Sequence, residues 1–514
     1  MSLLRASATI GVFTLASRLT GFARDSVIAA ILGTGIVADA FFIAFKLPNL
    51  FRRLFAEGAF SAGFVPIFST LLTRDGKDAA QRFTEEALAA LTLTLLVLLA
   101  VFETFMPIVM LGLAPGFVSD PPKFDLAVEL TRITFPYLVF VSVVSLMGGV
   151  LNSLGRFAGQ AAAPVLLNLM LIGALLVLRD SLESNGHALA WGVFAAGILQ
   201  LTGMAVACWR AGFRLRPRLP RLSPKVRELG RLMLPAVIGT GAAQVNIAVD
   251  IIIASLLPTG SVSYLFYADR LVQLPLGVVG VAVGTALLPL LSRQVGAGDH
   301  AGATTSLNRA IELVLLLCVP AAVALTLIAH PLVHVLFERG AFTPEATDAT
   351  ARALIAFAFG LPAYVLIKAL SPPFFARKDT RTPVKIAVFA LTLNVVLNLA
   401  LMGPLLHVGL ALATAISAWV NAGLLALVLR RRDQLVLDPR LRRALVRGAL
   451  ALAVMGGALW FGVQFLQPIL AAAGIAPWGA MAALVAGGMA VYGLGLQLLG
   501  AATIKDLRQL ARGR

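Results

Sequence analysis

Ionisable side chains stand where an apolar sequence should exclude them. Arg18, Arg24 and Asp25 interrupt the first apolar run, and Asp39, Lys46, Arg52, Arg53 and Glu57 crowd the second. At a bilayer centre each such residue costs roughly 2.5–3.5 kcal/mol on insertion scales. They persist there by facing water, by pairing together or by holding a ligand. At about 100° per residue, Arg18 and Asp25 share one helix face, while Arg24 is turned aside. Asp39, Lys46, Arg53 and Glu57 form a stripe on the next helix with Arg52 off it, and Pro48 is expected to kink that helix. Further on, Asp269 and Arg270 are adjacent and Lys368 stands in another apolar run. If two halves of the chain face each other, Arg270 meets the cluster of Arg18, Arg24 and Arg52 across a cationic cavity. That sign suits an anionic ligand, and arginine forks fit pyrophosphate oxygens through bidentate hydrogen bonds. The competing reading is a set of salt bridges that lock helices together, with Lys46 and Arg53 snorkelling to the membrane surface.

A second polar group comprises Asp250, Asn394, Asn398 and Thr414. Asn394 and Asn398 are spaced i, i+4, so they share a helix face. Oxygen ligands of this kind suit a hard cation such as sodium; buried asparagines more often bond from helix to helix. The histidines His187, His300, His330, His334 and His407 lie in or near loops or helix ends and show no catalytic spacing. There is no phosphate-cradling Gly-x-x-x-x-Gly-Lys-Ser/Thr loop, so ATP hydrolysis is not expected. Cys208 and Cys318 sit in apolar runs and read as small core residues with no disulfide role.

The elements that must position these groups are membrane helices. Hydrophobic residues make up 59% of the 514 and charged residues 13%, with mean hydropathy +0.90. A soluble chain carries about a quarter charged residues. Apolar runs of roughly 20 residues, enough to span a bilayer, recur throughout and predict an all-α, polytopic protein of about 14 transmembrane helices. The first apolar run, which continues through Arg18 to Asp25, is expected to be a retained helix rather than a cleaved signal. The net charge of +17 carries no aromatic-interleaved basic stretch and therefore implies membrane topology and anionic headgroups, with no nucleic-acid partner. Arg74, Lys77, Arg156, Arg210–Arg231, Arg293, Arg377–Lys385 and Arg430–Arg447 fall on one side; Lys123, Arg179, Arg339 and Arg352 fall on the other. By the positive-inside rule both termini are cytoplasmic. The stretch Asp25–Gly35 resembles Asp250–Gly260, Pro66–Leu72 resembles Pro289–Val295, and Gly155–Asn168 echoes Ala376–Asn394. This repeat implies two parallel six-helix lobes, residues 1–220 and 221–435, with 436–514 adding two helices.

Ser17–Asp25, Ala38–Phe42 and Lys46–Phe60, with Tyr267–Arg270 and Asp379–Pro383, resemble the MurJ/MviN family of lipid II flippases, within the superfamily of multidrug and polysaccharide-lipid exporters. The resemblance covers the whole chain. It implies a two-lobed bundle in the bacterial inner membrane that alternates between inward-open and outward-open states and needs no cofactor. It implies that Arg18, Arg24, Arg52 and Arg270 contact the pyrophosphate of lipid II, organised by Asp25 and Asp39. Lys46, Arg53, Glu57 and Asp269 would support the cavity or gate, Glu57 on the cytoplasmic side. The last two helices would form a groove for the polyprenyl tail. Asp250, Asn394, Asn398 and Thr414 match a sodium site of some members, but Asn398 stands where a carboxylate is expected, and the membrane potential is the other candidate driving force. A monomer in contact with membrane lipids and cell-wall synthesis proteins is expected. The rivals are a flippase for another polyprenyl-linked glycan, a multidrug antiporter and a non-transporting scaffold.

Overall fold

The computed structural model describes residues 3–53, 60–216, 218–472 and 474–501, and no strand occurs among them. The chain divides into two compact units, Met1–Ser263 with Arg339–Phe342, and Tyr264–Glu338 with Thr343–Arg514. The first holds α1 (Leu3–Leu32), α2 (Ile36–Arg52), α3 (Phe60–Arg74), α4 (Gly76–Thr104), α5 (Met106–Leu113), α6 (Pro121–Thr134), α7 (Tyr137–Ser153), α8 (Ala158–Leu178), α9 (Asn185–Arg210) and α10 (Pro224–Ser255), with a 3-10 turn at Pro115–Ser119. The remaining helices are α11 (Ser261–Gly296), α12 (His300–Leu327), α13 (Ala329–Phe337), α14 (Pro344–Leu370), α15 (Pro372–Ala376), α16 (Arg381–Arg431), α17 (Pro439–Leu470) and α18 (Ala476–Leu498). Within the first unit α10 packs with α3, α4 and α5.

Ten helices among the described residues are long and apolar enough to cross a membrane, by length and composition. The protein is a multi-pass membrane protein. Several expected spans are interrupted, and prolines explain where. The run 84–113 breaks at Phe105, just before Pro107; 129–152 breaks at Phe135–Pro136; and 306–336 breaks at Ile328, just before Pro331. A proline lacks the N–H that would continue the ladder and its ring crowds the preceding turn. Conversely, α16 joins two expected helices, and only Leu406, with φ 50° and ψ −132°, departs from helical geometry inside it. At 51 residues and about 1.5 Å per residue, it is long enough to cross a bilayer twice.

Pro48 does not end α2, which continues to Arg52. The carbonyl that Pro48 leaves without a helical donor belongs to Ala44, four residues earlier. The Thr134 hydroxyl of α6 lies 3.2 Å from it, sharing its one proton between that carbonyl and the Thr131 carbonyl at the same distance. A neighbouring helix thus satisfies the backbone group that the proline released, as the low dielectric of a membrane requires. The end of α1 is set by Gly33, whose φ of +63° and whose missing Cβ allow the Ala341 carbonyl to approach; an added Cβ would lie 2.2 Å from that oxygen.

Aromatic residues fill the core of the first unit. Phe60, Phe64 and Phe68 stack along one face of α3, and Phe83 and Phe213 close on them. In the second unit α14 packs against α12 and α16, and α17 pairs with α18. Tyr492 of α18 donates its hydroxyl to the Leu316 carbonyl of α12 at 2.8 Å. The opposite faces of α17 and α18 leave Phe461, Phe465 and Met489 exposed, the surface expected of helices bathed in lipid rather than water.

Two features recur in both units. Phe105 and Ile328 interrupt α4–α5 and α12–α13 with nearly the same backbone, φ −102°, ψ 21° and φ −103°, ψ 12°. Each unit also buries one carboxylate clasped by the basic segment that succeeds a long helix. Glu85 of α4 accepts from the Arg216 amide at 3.2 Å and from the Arg218 guanidinium. Glu312 of α12 pairs with Arg309 and, at 3.7 Å, with Arg440 beyond α16.

Candidate functional site

Arg24 and Asp25 lie inside the first unit, 7% and 4% exposed. Adjacent on α1, they pair because the long guanidinium folds back: Nε and Nη2 donate to Asp25 Oδ1 at 2.9 and 2.6 Å. Nη1 donates to Asn168 Oδ1 of α8 at 2.9 Å. Asn168 is itself fixed, its Nδ2 donating to the Ser17 carbonyl at 3.0 Å and to Thr20 Oγ1 at 3.2 Å. Three of the five guanidinium N–H groups are therefore engaged, and the carboxylate compensates the buried cation. The sequence marks the pair but not Asn168, which joins α8 to α1 and is legible there only as part of the repeat. Arg18, one face around α1, is half-buried and makes no side-chain hydrogen bond or ion pair among the described residues.

Asp39 is fully buried, and its two oxygens take four contacts. Oδ2 accepts from Lys123 Nζ at 2.9 Å and the Gly260 amide at 2.8 Å; Oδ1 accepts from the Ser263 amide at 3.0 Å and its hydroxyl at 2.6 Å. The carboxylate therefore closes the exposed amides of the first turn of α11, where a negative charge is favoured. Lys123, expected to be an outward-loop cation, is instead buried in the first turn of α6. Its Nζ also reaches Thr259 Oγ1 at 3.2 Å and lies 4.2 Å from the Phe117 ring centroid. So Asp39 holds an ion pair and a helix start, rather than pointing into open space.

The remaining charges are more open. Lys46 and Arg52 are half-buried, and Arg52 Nε donates to Asn49 Oδ1 at 3.2 Å; Arg53 is exposed at the end of α2. Glu57 lies outside the described residues. In the second unit Arg270 is half-buried with its guanidinium 4.7 Å from the Phe266 ring centroid, while Asp269 accepts from Gln273 at 3.1 Å. Lys368 is exposed on α14, its Nζ lying over Gly280 of α11.

Three members of the second polar group meet. Asn398 Nδ2 donates to Asn394 Oδ1 at 3.1 Å, Asn394 Nδ2 lies 3.4 Å from Thr414 Oγ1, and Thr414 donates to the Leu410 carbonyl at 2.9 Å. A chain of side-chain hydrogen bonds thus links the two parts of α16. Asp250 belongs to the first unit and contacts Asn246 at 3.5 Å.

Outside the spans, Asp379 closes the two ends of α16. It accepts from Arg432 Nη1 at 2.7 Å, Thr382 Oγ1 at 2.7 Å and the Thr382 amide at 3.0 Å. The Arg432 guanidinium, and after it the Thr382 hydroxyl and amide, hold its carboxyl well below the usual carboxylate range.

Comparison with known proteins adds what geometry alone does not. The family described as lipid II flippase MurJ matches residues 28–475. The chain belongs to that family. It is 45% identical over 515 residues to the probable lipid II flippase MurJ of Rhizobium meliloti (strain 1021), covering 99% of this chain and 96% of that protein. Among solved structures, a lipid II flippase MurJ in an inward closed conformation has the same fold, with TM-score 0.77 and 24% identity over 95% of this chain and 98% of that one. A multidrug resistance MATE family transporter in an inward-facing conformation has TM-score 0.66 and 15% identity, over 81% of this chain and 94% of that one. Both likenesses speak to the fold. Within this MurJ-family chain, the buried Arg24–Asp25–Asn168 group holds a guanidinium inside the first unit and fixes it through two other helical residues.

Proposed function

We propose that this chain flips lipid II, the undecaprenyl-pyrophosphate-linked peptidoglycan precursor, from the cytoplasmic to the periplasmic leaflet of the bacterial inner membrane by alternating access. It is a transporter: a lipid changes sides and no covalent bond changes. Family membership over residues 28–475 is the observation that carries the substrate. The charge pattern supports the same reading. Arg18, Arg24, Arg52 and Arg270 supply cationic forks for pyrophosphate oxygens, Asp25 and Asn168 hold Arg24 in one orientation, and Lys46, Arg53, Glu57 and Asp269 support the path. Asp39 contributes by fixing α2 to α6 and to the start of α11. A multidrug antiporter handling cations would favour carboxylates, the opposite sign to this cluster.

Two parallel six-helix halves, 1–220 and 221–435, with a lipid-facing pair of helices in 436–514, form the scaffold of this reading. It is supported by the matching breaks at Phe105 and Ile328 and the matching clasped carboxylates Glu85 and Glu312. Both termini face the cytoplasm, in line with the basic loops. The membrane potential drives the cycle, since moving charge across the membrane is worth about 2.3 kcal/mol per charge per 100 mV.

The test is lipid II exposed at the periplasmic face of cells depleted of the protein and supplied with wild type or Arg24→Ala. Wild type is expected to restore exposure and Arg24→Ala to fail at equal expression. Undiminished exposure after depletion, in cells with no second flippase, rejects lipid II as substrate. Loss of exposure on sodium removal at constant potential rejects potential as the sole driving force.

A further inference from the structure

A cluster unrelated to the cationic group lies elsewhere in the first unit. Glu129 of α6, Glu183 of the turn before α9 and His187 of the first turn of α9 bring one ligand atom each within 4.8 Å of one another. His187 is 7% exposed, and its Nε2 is buried without a hydrogen-bond partner although Glu129 Oε1 is 3.3 Å away. The other ring nitrogen is occupied: Nδ1 and Ser184 Oγ are 2.9 Å apart. With Nδ1–H donating to that hydroxyl, Nε2 keeps its lone pair and faces the two carboxylates. A metal-binding histidine is held in this way, by a partner on its second nitrogen.

The backbone fixes the imidazole as firmly as Ser184 does. Gly186 is buried where α9 starts, and a Cβ there would lie 2.9 Å from both Leu130 of α6 and Val37 of α2. The start of α9 therefore sits tightly against the helix that carries Glu129. Glu129 and Glu183 are exposed, so their carboxylates can adjust from the solvent side while the imidazole stays put. Ligand atoms placed roughly 2.0–2.2 Å from a tetrahedral ion lie about 3.3–3.6 Å apart, the separation that His187 Nε2 and Glu129 Oε1 already have.

We infer that Glu129, Glu183 and His187 bind a divalent transition metal, zinc in the first instance, with water completing the coordination. One imidazole nitrogen and two carboxylate oxygens are a zinc-type ligand set. The bound ion ties α6 to the start of α9 and neutralises the two carboxylates.

Full-length protein carrying a histidine-free affinity tag, stripped with chelator and reconstituted in nanodiscs, is titrated with Zn2+ by calorimetry, and with Co2+ to record its visible spectrum. One site per chain is expected, with the intense bands of four-coordinate cobalt. Ser184→Ala should weaken binding about 10–100-fold, and Glu183→Gln and His187→Ala should abolish it. Glu183 is exposed, so Glu183→Gln decides the matter even where His187→Ala fails to fold. No stoichiometric zinc in the wild type, or zinc retained equally by Glu183→Gln, overturns the assignment. The readout needs no transport, so it stands or falls independently of the lipid substrate.

Discussion

Asp39 and Lys123 are 0% and 3% exposed, so water cannot stabilise either charge once its partner is gone. Removing one member of a buried pair costs about 3–5 kcal/mol, largely through the charge left behind. Asp39→Asn and Lys123→Met are each expected to lower the thermal midpoint of the purified protein markedly, and the double variant to recover part of the loss. Strict additivity of the two losses would show that the charges do not act as a pair. Arg24 is likewise compensated by Asp25 yet still holds N–H groups beyond those that Asp25 and Asn168 engage. Arg24→Ala is therefore expected to lower the thermal midpoint as well as to remove lipid II export, and the double variant Arg24→Ala/Asp25→Asn to regain stability without regaining export. That contrast, a carboxylate closed on all sides and a buried guanidinium with N–H groups to spare, cannot be read from residue type, because Asp39 and Arg24 look alike as charges in apolar runs. Lys123 departs from its expected loop position for a related reason. Its neighbours Pro121 and Pro122 suggest a loop, and only the fold shows them starting α6 beside Asp39.

At the scale of elements, the prolines say where a helix is weakened, and the residues packed around them decide whether it breaks. Pro107, Pro136 and Pro331 accompany true breaks; Pro48 does not, because Thr134 takes up the Ala44 carbonyl. Thr134→Val should cost about 1 kcal/mol, the net worth of a typical hydrogen bond. In a Pro48→Ala background it should cost less, since the N–H of residue 48 returns to Ala44. Thermal unfolding of the four proteins gives the comparison, and an equal cost in both backgrounds would show that Thr134 has no compensating role. The Asp379 clasp has a pH signature. A carboxyl whose folded value is depressed contributes its full stability above its ordinary value near 3.8 and loses it as the pH falls further. The stability gap between wild type and Asp379→Asn should therefore be constant near neutrality and shrink in strong acid; a gap independent of pH down to full protonation would contradict the clasp.

For the whole molecule, the arrangement of charge across the membrane is the property most open to test. Cys208 and Cys318 are both buried, so engineered cysteines can be read against a quiet background. A membrane-impermeant thiol reagent added to spheroplasts should label Ser181→Cys, and should label Arg431→Cys only after the membrane is opened. The reverse pattern would invert the proposed orientation. By itself the sequence determined that the chain is an all-helical multi-pass membrane protein, because hydropathy acts over roughly 20 residues at a time and needs no partner. It also determined the family, through motifs local to Ser17–Asp25 and Lys46–Phe60, and picked out Arg24 and Asp25 as charges out of place. The tertiary structure decided which charges are closed and which are open. Asn168 reaches Arg24, Lys123 reaches Asp39 and Glu129 reaches His187 from helices distant along the chain, and a hydrogen bond of about 3 Å depends on packing that no local pattern encodes.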